Sequence, residues 1–151
     1  MNSKIADAIR ANDKKAYQEA RYPKIQEGEW VVFINEDFSE VDFEQFSASF
    51  FVFIRCKLDG AKGFYGQPVV MIECSAQDLD LRGRSLIVYA HGCGFKGMQY
   101  DESTRLVYTD KDDESHIDAS SSFVDCKFDN HARQFLKKQD ILINTLHKNM
   151  D

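Results

Sequence analysis

The residues of this chain with the clearest potential for chemistry are its four cysteines and the histidine that precedes one of them. His91 lies two residues before Cys93, and an imidazole beside a thiol can produce the thiolate of a nucleophilic enzyme. The cysteines, together with His91, His116 and His131, could also bind zinc. No Cys-x2-Cys or His-x3-His pair is present. We therefore favour a structural role for the cysteines and expect no catalytic residue, metal or cofactor.

Two other motifs match ligand sites only in part. The acidic run Asp110–Glu114 has the composition of a calcium loop. It lacks the alternating ligand spacing, the central glycine and the closing glutamate of that motif. The glycines are spaced like the corners of a repeat, and no Gly-Lys-Ser/Thr string is present to bind phosphate. We therefore predict that residues 110–114 form a solvated loop and that the chain is not an enzyme.

The cysteines instead mark a five-residue repeat. They begin the segments CKLDG at Cys56, CSAQD at Cys74, CGFKG at Cys93 and CKFDN at Cys126. Between Glu36 and Tyr65 the chain can be written as EDFSE, VDFEQ, FSASF, FVFIR, CKLDG and AKGFY. The first positions are Glu36, Val41, Phe46, Phe51, Cys56 and Ala61, and the third positions are Phe38, Phe43, Ala48, Phe53, Leu58 and Gly63. A period of five matches neither an α-helix nor an alternating strand.

A solenoid explains this period. If two residues in every five point inward, the backbone turns a corner once per quintet, and four quintets close one square coil. Successive coils then stack by strand-type hydrogen bonds at about 4.8 Å. The pattern resembles the pentapeptide-repeat family, and this resemblance implies a right-handed parallel β-helix. The match resumes, shifted by three residues, over 69–88, and returns near Cys93 and over 121–130; the register around 66–68 and 104–117 is irregular.

Helical segments are expected at both ends of this all-β solenoid, which divides the chain into residues 1–28, 29–130 and 131–151. The segment 3–20 has an apolar face, and Ala11-Asn12-Asp13 offers a stop followed by a new N-cap, so it predicts one helix or two short ones. Asp129-Asn130 predicts a cap for a helix that runs to about Lys148. The ends of a solenoid core need cover, so both segments are predicted to be caps. For the C-terminal helix a dimer contact through Phe135, Leu142 and Leu146 is the alternative.

The charge of the chain is unevenly distributed. Residues 29–130 contain 19 acidic and 9 basic residues, whereas the two ends contain 6 acidic and 10 basic residues. The acidic residues cluster in two groups, which are Glu36, Asp37, Glu40, Asp42 and Glu44, and then Asp110, Asp112, Asp113 and Glu114. Acidic residues at fixed offsets on a rigid rod would attract the basic cleft of a DNA-binding protein. An acidic body of this kind argues against direct binding of nucleic acid.

Two functions are consistent with these features. The first is a protein-binding module that mimics DNA and inhibits a DNA-binding enzyme; the resemblance to family members that occupy the DNA site of gyrase implies this one. The second is an interaction scaffold in which the acidity only keeps the protein soluble. Its anchors would be aromatic residues that the quintet frame turns outward or places at breaks, namely Phe50, Phe64, Tyr65, Tyr89 and Tyr100.

Composition is ordinary for one globular domain, with 151 residues of which 43% are apolar and 29% charged. No apolar run is long enough to cross a bilayer, and the N-terminus lacks the apolar stretch of a signal peptide. Four cysteines without an export signal indicate a reducing compartment. The sequence therefore predicts a cytoplasmic protein without membrane contact.

Overall fold

The computed structural model describes residues 2–22, 25–26, 28–109, 117–139 and 142–144. Short strands separated by tight corners make up most of this part of the chain, and helices occur only near its two ends. In chain order the elements are α1 (Ser3–Arg10), α2 (Lys14–Arg21), β1 (Val31–Ile34), β2 (Phe51–Ile54), β3 (Gly66–Ile72), β4 (Leu86–His91), β5 (Val107–Thr109), β6 (Ile117–Ser120), β7 (Ser122–Val124), α3 (Asn130–Lys138) and β8 (Leu142–Asn144).

Six strands form one parallel sheet in the order β1-β2-β3-β4-β7-β8, and β5 and β6 form a separate antiparallel pair. Each strand of the sheet pairs with the equivalent strand of the next turn, which is the arrangement of a parallel β-solenoid of about three turns. The predicted solenoid is confirmed. The right-handed sense of the coil and the capping role of the helices stay predictions.

The register of the sheet gives the length of each turn. Val31 pairs with Phe51, Phe51 with Val69, and Val69 with Val88, so three successive turns take 20, 18 and 19 residues. The next turn is longer, because Tyr89 pairs with Ser122 and the β5–β6 hairpin lies between them. Four quintets make 20 residues, so the repeat read from the sequence describes the first of these turns.

Isolated bridges extend the stacking to the other sides of the coil. One ladder joins Asp37, Lys57, Ser75, Gly94 and Lys127, and these five positions follow the corner at the end of each sheet strand. A second ladder joins Asp42, Lys62, Asp80 and Gln99, and a bridge between Ser85 and Arg105 marks a further side. Every turn therefore repeats the same sequence of sides, with one residue of each ladder directly above the last.

The corner that follows each of β1, β2, β3, β4 and β7 has a left-handed backbone. The residues there are Asn35, Arg55, Glu73, Gly92 and Asp125, with φ values between 49° and 68°. Only glycine takes this conformation freely. Asn35, Arg55 and Glu73 are held in it because the backbone N–H of each donates to the carbonyl at the end of the next strand.

The core of the solenoid is built from the first and third positions of the quintets. Phe38, Phe43, Phe51, Phe53 and Leu58 are all fully buried. Phe53 lies at the centre, with ring centroids 5.5–6.0 Å from those of Phe33, Phe38, Phe43, Phe51 and Phe64. Glu36 and Val41, the first positions nearest the N-terminus, are only half-buried.

The four cysteines stack along one side of the core, each two residues before a buried apolar residue, as predicted. Three of the thiols contact a carbonyl of the preceding turn. Sγ of Cys56 donates to the Phe33 carbonyl at 3.4 Å, and Sγ of Cys74 donates to the Phe53 carbonyl at 3.2 Å. Cys93 repeats the contact with a carbonyl of β3. A small side chain is needed at this position because that carbonyl lies directly against it.

The prediction that Phe64 faces outward was wrong. Phe64 is fully buried and its ring stacks on that of Phe43 at 4.3 Å. The turn from Phe51 to Val69 is two residues shorter than four quintets, so the repeat frame breaks here. Gly63, with φ +78°, has no room for a side chain, since a Cβ would lie 2.7 Å from the Glu44 nitrogen. Phe64 therefore fills the core position that the frame assigned to Gly63.

Two short helices precede the solenoid, as the break at Asn12 predicted. Asn12 has φ 55°, and the Asp13 side chain caps α2 by accepting a hydrogen bond from the Ala16 N–H. The apolar face of α1, including Ile5 and Ile9, belongs to the same buried cluster as the phenylalanines of the first turn. Both helices therefore pack against the N-terminal end of the core.

The C-terminal helix is much shorter than predicted. Asp129 caps it as expected, but α3 ends at Lys138 rather than near Lys148. Leu142–Asn144 is instead strand β8, which pairs in parallel with β7. The side chain of Gln139 accepts from the Leu106 N–H at 2.9 Å and donates to the Thr104 carbonyl at 2.8 Å, which fixes the end of the helix against the preceding turn. The unpaired edge of β7 then accepts the β-prone segment that follows.

We predict that Phe53→Ala costs about 3–5 kcal/mol of unfolding free energy, because it removes the ring at the centre of the aromatic core. Urea unfolding monitored by circular dichroism measures this. Tyr65→Ala, at a position 36% exposed, is the control and should cost less than about 1 kcal/mol. Equal losses for the two variants would contradict the packing described here.

Candidate interaction surfaces

The acidic residues nearest the N-terminus lie beside basic residues. Nη1 of Arg10, on α1, donates to Oε1 of Glu36 at 2.9 Å, and Nη2 of the same residue donates to Asp7 at 2.6 Å. Asp37 is bridged to Lys57 on the next turn. Glu36 is therefore ion-paired with a helix residue, and Asp37 has a lysine as its backbone partner in the next turn.

The second ladder alternates in charge in the same way, since Lys62 lies between Asp42 and Asp80. Asp80 is also held by Arg82 through two bonds, from Nε at 2.9 Å and from Nη2 at 2.8 Å. Glu44 lies 3.5 Å from Arg84 of a later turn. Residues that cluster in the sequence are thus spread over two sides of the coil and interleaved with basic side chains.

Glu40 is the remaining member of the first acidic group. It occupies a left-handed corner with φ 60°, and Gly60 lies against its Cγ in the next turn. The second acidic group, Asp110, Asp112, Asp113 and Glu114, lies outside the described residues. The prediction that these two groups form a partner-binding acidic face stays a prediction.

Two other carboxylates are held in their ionised form. The guanidinium of Arg82 lowers the pKa of Asp80 by hydrogen bonding. The pKa of Asp101 is lowered mainly by the Ser103 side chain, which donates at 2.7 Å, and further by the backbone N–H of Gly83. A carboxyl group whose pKa is lowered by folding stabilises the folded state at any pH above the ordinary carboxyl pKa. This stabilisation is lost as the pH falls through the lowered pKa.

The predicted aromatic anchors fall into two groups. Tyr65 and Tyr89 are exposed, by 36% and 41% respectively. Phe50 is half-buried and meets the edge of the Trp30 ring at 5.3 Å. Tyr100 is half-buried because its ring stacks on that of Phe135 at 4.1 Å. Of the five predicted anchors, Tyr65 and Tyr89 are therefore the two that the structure leaves exposed.

The predicted dimer contact is divided between different elements. Phe135 lies on α3 and uses its ring in the contact with Tyr100. Leu142 belongs to strand β8, and Leu146 lies outside the described residues. The three residues therefore do not form one face of a continuous helix, which is what the dimer contact required. Dimerisation through this segment stays a prediction.

One apolar surface was not identified from the sequence. The side chains that alternate with core residues along β1–β4 and β7 point outward, and nearly all of them are apolar. We call the apolar part of this surface the apolar sheet face; it consists of Val32, Ile34, Val52, Ile54, Val70, Ile72, Tyr89 and Val124. Ile34 and Tyr89 are each 41% exposed and the others are half-buried. Two polar residues interrupt the face: exposed His91, which lies between Ile72 and Val124, and Ser122, which lies beside Tyr89.

A pattern in the sequence could have predicted the apolar sheet face. The quintet FVFIR and the related VVMIE place valine and isoleucine at the second and fourth positions, which the repeat turns outward. Outward positions of a soluble solenoid are normally polar. Trp30, 49% exposed, extends the apolar surface at the edge that precedes the strands. The largest apolar patch of a monomer is often functional.

The cysteines lie in the core of the solenoid. All four are free and buried. Hydrogen bonds from neighbouring cysteine sulfurs and burial raise the pKa of Cys56 and Cys93 well above the ordinary thiol value, so these thiols stay protonated at neutral pH. Among the described residues, no group of three or more His, Cys, Asp or Glu side chains is arranged to hold a metal ion.

Gly92, Gly94 and Gly97 have the Gly-x-Gly-x-x-Gly spacing of a dinucleotide-binding loop. Such a loop follows a strand and opens a helix. Here the segment follows β4 but continues into the next ladder, where Gly94 is bridged to Ser75. The intervening Cys93 and Phe95 are buried in the core. Gly92 and Gly97 are left-handed corners of the coil and Gly94 is a ladder position, so the segment does not have the backbone of a phosphate loop.

No protein-family model, curated protein or solved structure matches this chain. Within the described residues, no helix is long and apolar enough to span a bilayer.

We predict that a thiol-reactive probe such as dithionitrobenzoate labels none of the four cysteines at an appreciable rate in the folded protein, and labels all four in denaturant, because all four thiols are buried and become accessible only on unfolding. The rate of colour development at neutral pH measures this. Rapid labelling of one equivalent, lost in Cys93→Ala, would instead show a reactive thiol beside His91.

Proposed function

We propose that this chain is a short, irregular pentapeptide-repeat protein that acts as a non-catalytic interaction module, and that its apolar sheet face binds the same face of a second copy. The observation that carries the proposal is the apolar sheet face itself. The parallel solenoid supports it, since repeat solenoids commonly serve as rigid scaffolds for protein contacts.

The size of the surface fits this role. Five strands at about 4.8 Å spacing and four residues at about 3.3 Å give a flat area on the order of 300 Å². The largest apolar patch of a typical monomer is about 300–600 Å² and often functional. A standard protein interface takes about 800 Å² from each partner. The contact would therefore extend to the corner rows on either side, which include Trp30 on one side and Arg55 and Glu73 on the other.

Charge complementarity favours a second copy over an unrelated partner. Arg55 and Glu73 are consecutive in the row of left-handed corners that borders the face. A two-fold axis parallel to the strands, between β2 and β3, would place Arg55 of one copy against Glu73 of the other, and the reverse. An isologous interface makes each such contact twice.

The shape of the apolar sheet face is self-complementary about the same axis. The two-fold rotation would bring β2, with outward Val52 and Ile54, against β3 of the second copy, with outward Val70 and Ile72. These pairs have nearly the same volume, and β-branched side chains pack well between stacked sheets. Farther out, β1 would face β4, so Val32 would face Tyr89 and Ile34 would face His91. At the corner beyond them, Asn35 would face Gly92, where no side chain obstructs the approach.

We expect sedimentation velocity to show a concentration-dependent rise toward twice the chain mass of 17.4 kDa. Arg55→Glu or Glu73→Arg alone should weaken the dimer, because each places like charges in contact, and the double reversal should restore it. Lys57→Glu, on the neighbouring ladder outside the face, is the matched control and should leave association unchanged.

A protein that stays monomeric at the highest soluble concentration would contradict the proposal. Association that Ile54→Lys at the centre of the face does not weaken would contradict it as well. Failure of the double reversal to restore a dimer lost in both single variants would contradict the two-fold arrangement.

Charge mimicry of DNA is a second proposal, and the net charge of residues 29–130 favours it, with Asp80 and Asp101 held ionised. Its geometric support is weaker, because Lys57 and Lys62 interrupt the acidic ladders.

If mimicry operates, the protein should inhibit a DNA-processing enzyme such as gyrase in competition with duplex DNA. Inhibition should weaken as salt is raised, since exposed charges are screened within about 8 Å at physiological ionic strength. The triple variant Asp37→Lys, Asp42→Lys, Glu44→Lys should abolish it. Inhibition that neither salt nor this variant reduces would contradict mimicry.

A further inference from the structure

A groove between α2 and the first turn of the solenoid contains a buried cation. Arg21, the last residue of α2, is only 4% exposed and lines this groove. Its Nη1 donates to the Tyr17 hydroxyl at 2.6 Å. Its Nε is buried and has no hydrogen-bond partner. Within the described part of the chain no carboxylate pairs with this guanidinium, although a buried charge is normally paired.

Aromatic rings surround the guanidinium on several sides. Its central carbon lies 5.9, 5.4 and 5.8 Å from the ring centroids of Tyr17, Tyr22 and Phe51. These contacts stabilise a cation in place. They do not satisfy the Nε donor, which lies on the edge of the guanidinium that commonly binds an oxyanion through two parallel hydrogen bonds.

The described lining of the groove is basic and polar, without an acidic side chain. Lys14 supplies a second cation, and hydroxyl and amide groups come from Tyr17, Gln18, Gln45, Ser47 and Ser49. Since the Tyr17 hydroxyl accepts from Arg21, its own hydrogen is available to donate. In a chain of net charge −6, a groove with two cations and no described carboxylate is a local exception.

The dimensions and walls of the groove fit a small organic molecule. Its volume is about 440 Å³, within the range of about 300–1,000 Å³ that small-molecule sites occupy. Tyr22, Phe46 and Phe50 add aromatic surface to the lining. An oxyanion at Arg21 would leave these rings for a flat apolar body.

We propose that this groove binds a small organic anion, whose carboxylate or phosphate group pairs with Arg21 and Lys14 and whose apolar body packs on the aromatic wall. Binding would supply the partner that the buried guanidinium lacks. The site is separate from the apolar sheet face, so it does not depend on the proposed dimer.

The single tryptophan gives a direct readout. Trp30 contacts Phe50 at 5.3 Å, and Phe50 lines the groove. Sodium benzoate and sodium phosphate should each be titrated against the protein, with sodium chloride at matched ionic strength as the reference. We expect a saturable change in Trp30 fluorescence and a rise in the melting temperature. Tighter binding of benzoate would identify a carboxylate with an aromatic body, and tighter binding of phosphate would identify a phosphate ligand.

Gln18→Glu tests the site without removing a buried group, because Gln18 is exposed on α2 at the groove. The new carboxylate, three residues before Arg21, should pair with the guanidinium. It should raise the melting temperature of the free protein and weaken anion binding about tenfold or more. Gln134→Glu, at an exposed position on α3, is the matched control and should do neither. Arg21→Lys, checked for folding by circular dichroism, should also weaken binding because it loses the planar fork.

The absence of a saturable response to both anions at millimolar concentration would overturn the proposal. Binding that Gln18→Glu and Gln134→Glu affect equally would overturn it too, because the anion would then respond to net charge rather than to this groove.

Discussion

The structure depends on one constraint, which is that backbone hydrogen bonds join each turn to equivalent positions of the next. Once the parallel register is fixed, a residue lies above the residue 18–20 positions earlier in each of the first regular turns. Every position therefore becomes a row along the coil. Each side chain in a core row has a close neighbour in the turn before it and in the turn after it. Cysteine is small enough to fit against a backbone carbonyl of the preceding turn. Phenylalanine fits where its ring can stack on another ring or meet it edge to face.

The same constraint decides the character of the surface. Acidic residues that are neighbours in the sequence, such as Asp37 and Asp42, belong to different rows, and each is followed in its row by a lysine. Valine and isoleucine at the outward positions of β1–β3, in contrast, fall into the same rows and merge into one apolar surface. Parallel stacking thus disperses the charge and concentrates the apolar side chains, which is why the apolar sheet face has stronger geometric support than the acidic residues.

The sequence allowed prediction of the solenoid, the inward rows and the helix caps at Asp13 and Asp129, because each depends on local pattern. The burial of Phe64 was missed because it follows from the 18-residue turn, and the length of a turn is set by pairing between distant segments. The end of α3 at Lys138 was missed for a related reason, since strand β8 exists through its pairing with β7. Similarly, the environment of Arg21 arises only when α2 packs on the first turn. Helical periodicity alone does not show that this arginine is buried.

The most direct test of the account is the inter-turn register in solution. In isotopically labelled protein, nuclear Overhauser contacts between backbone protons should connect Lys57 with Ser75, Ser75 with Gly94, and Gly94 with Lys127, because these residues are parallel bridge partners. Contacts at these positions would establish the stacking from which the core and both surfaces follow. Contacts shifted by one residue, or an antiparallel pattern between these segments, would contradict it, because the rows would then contain different side chains.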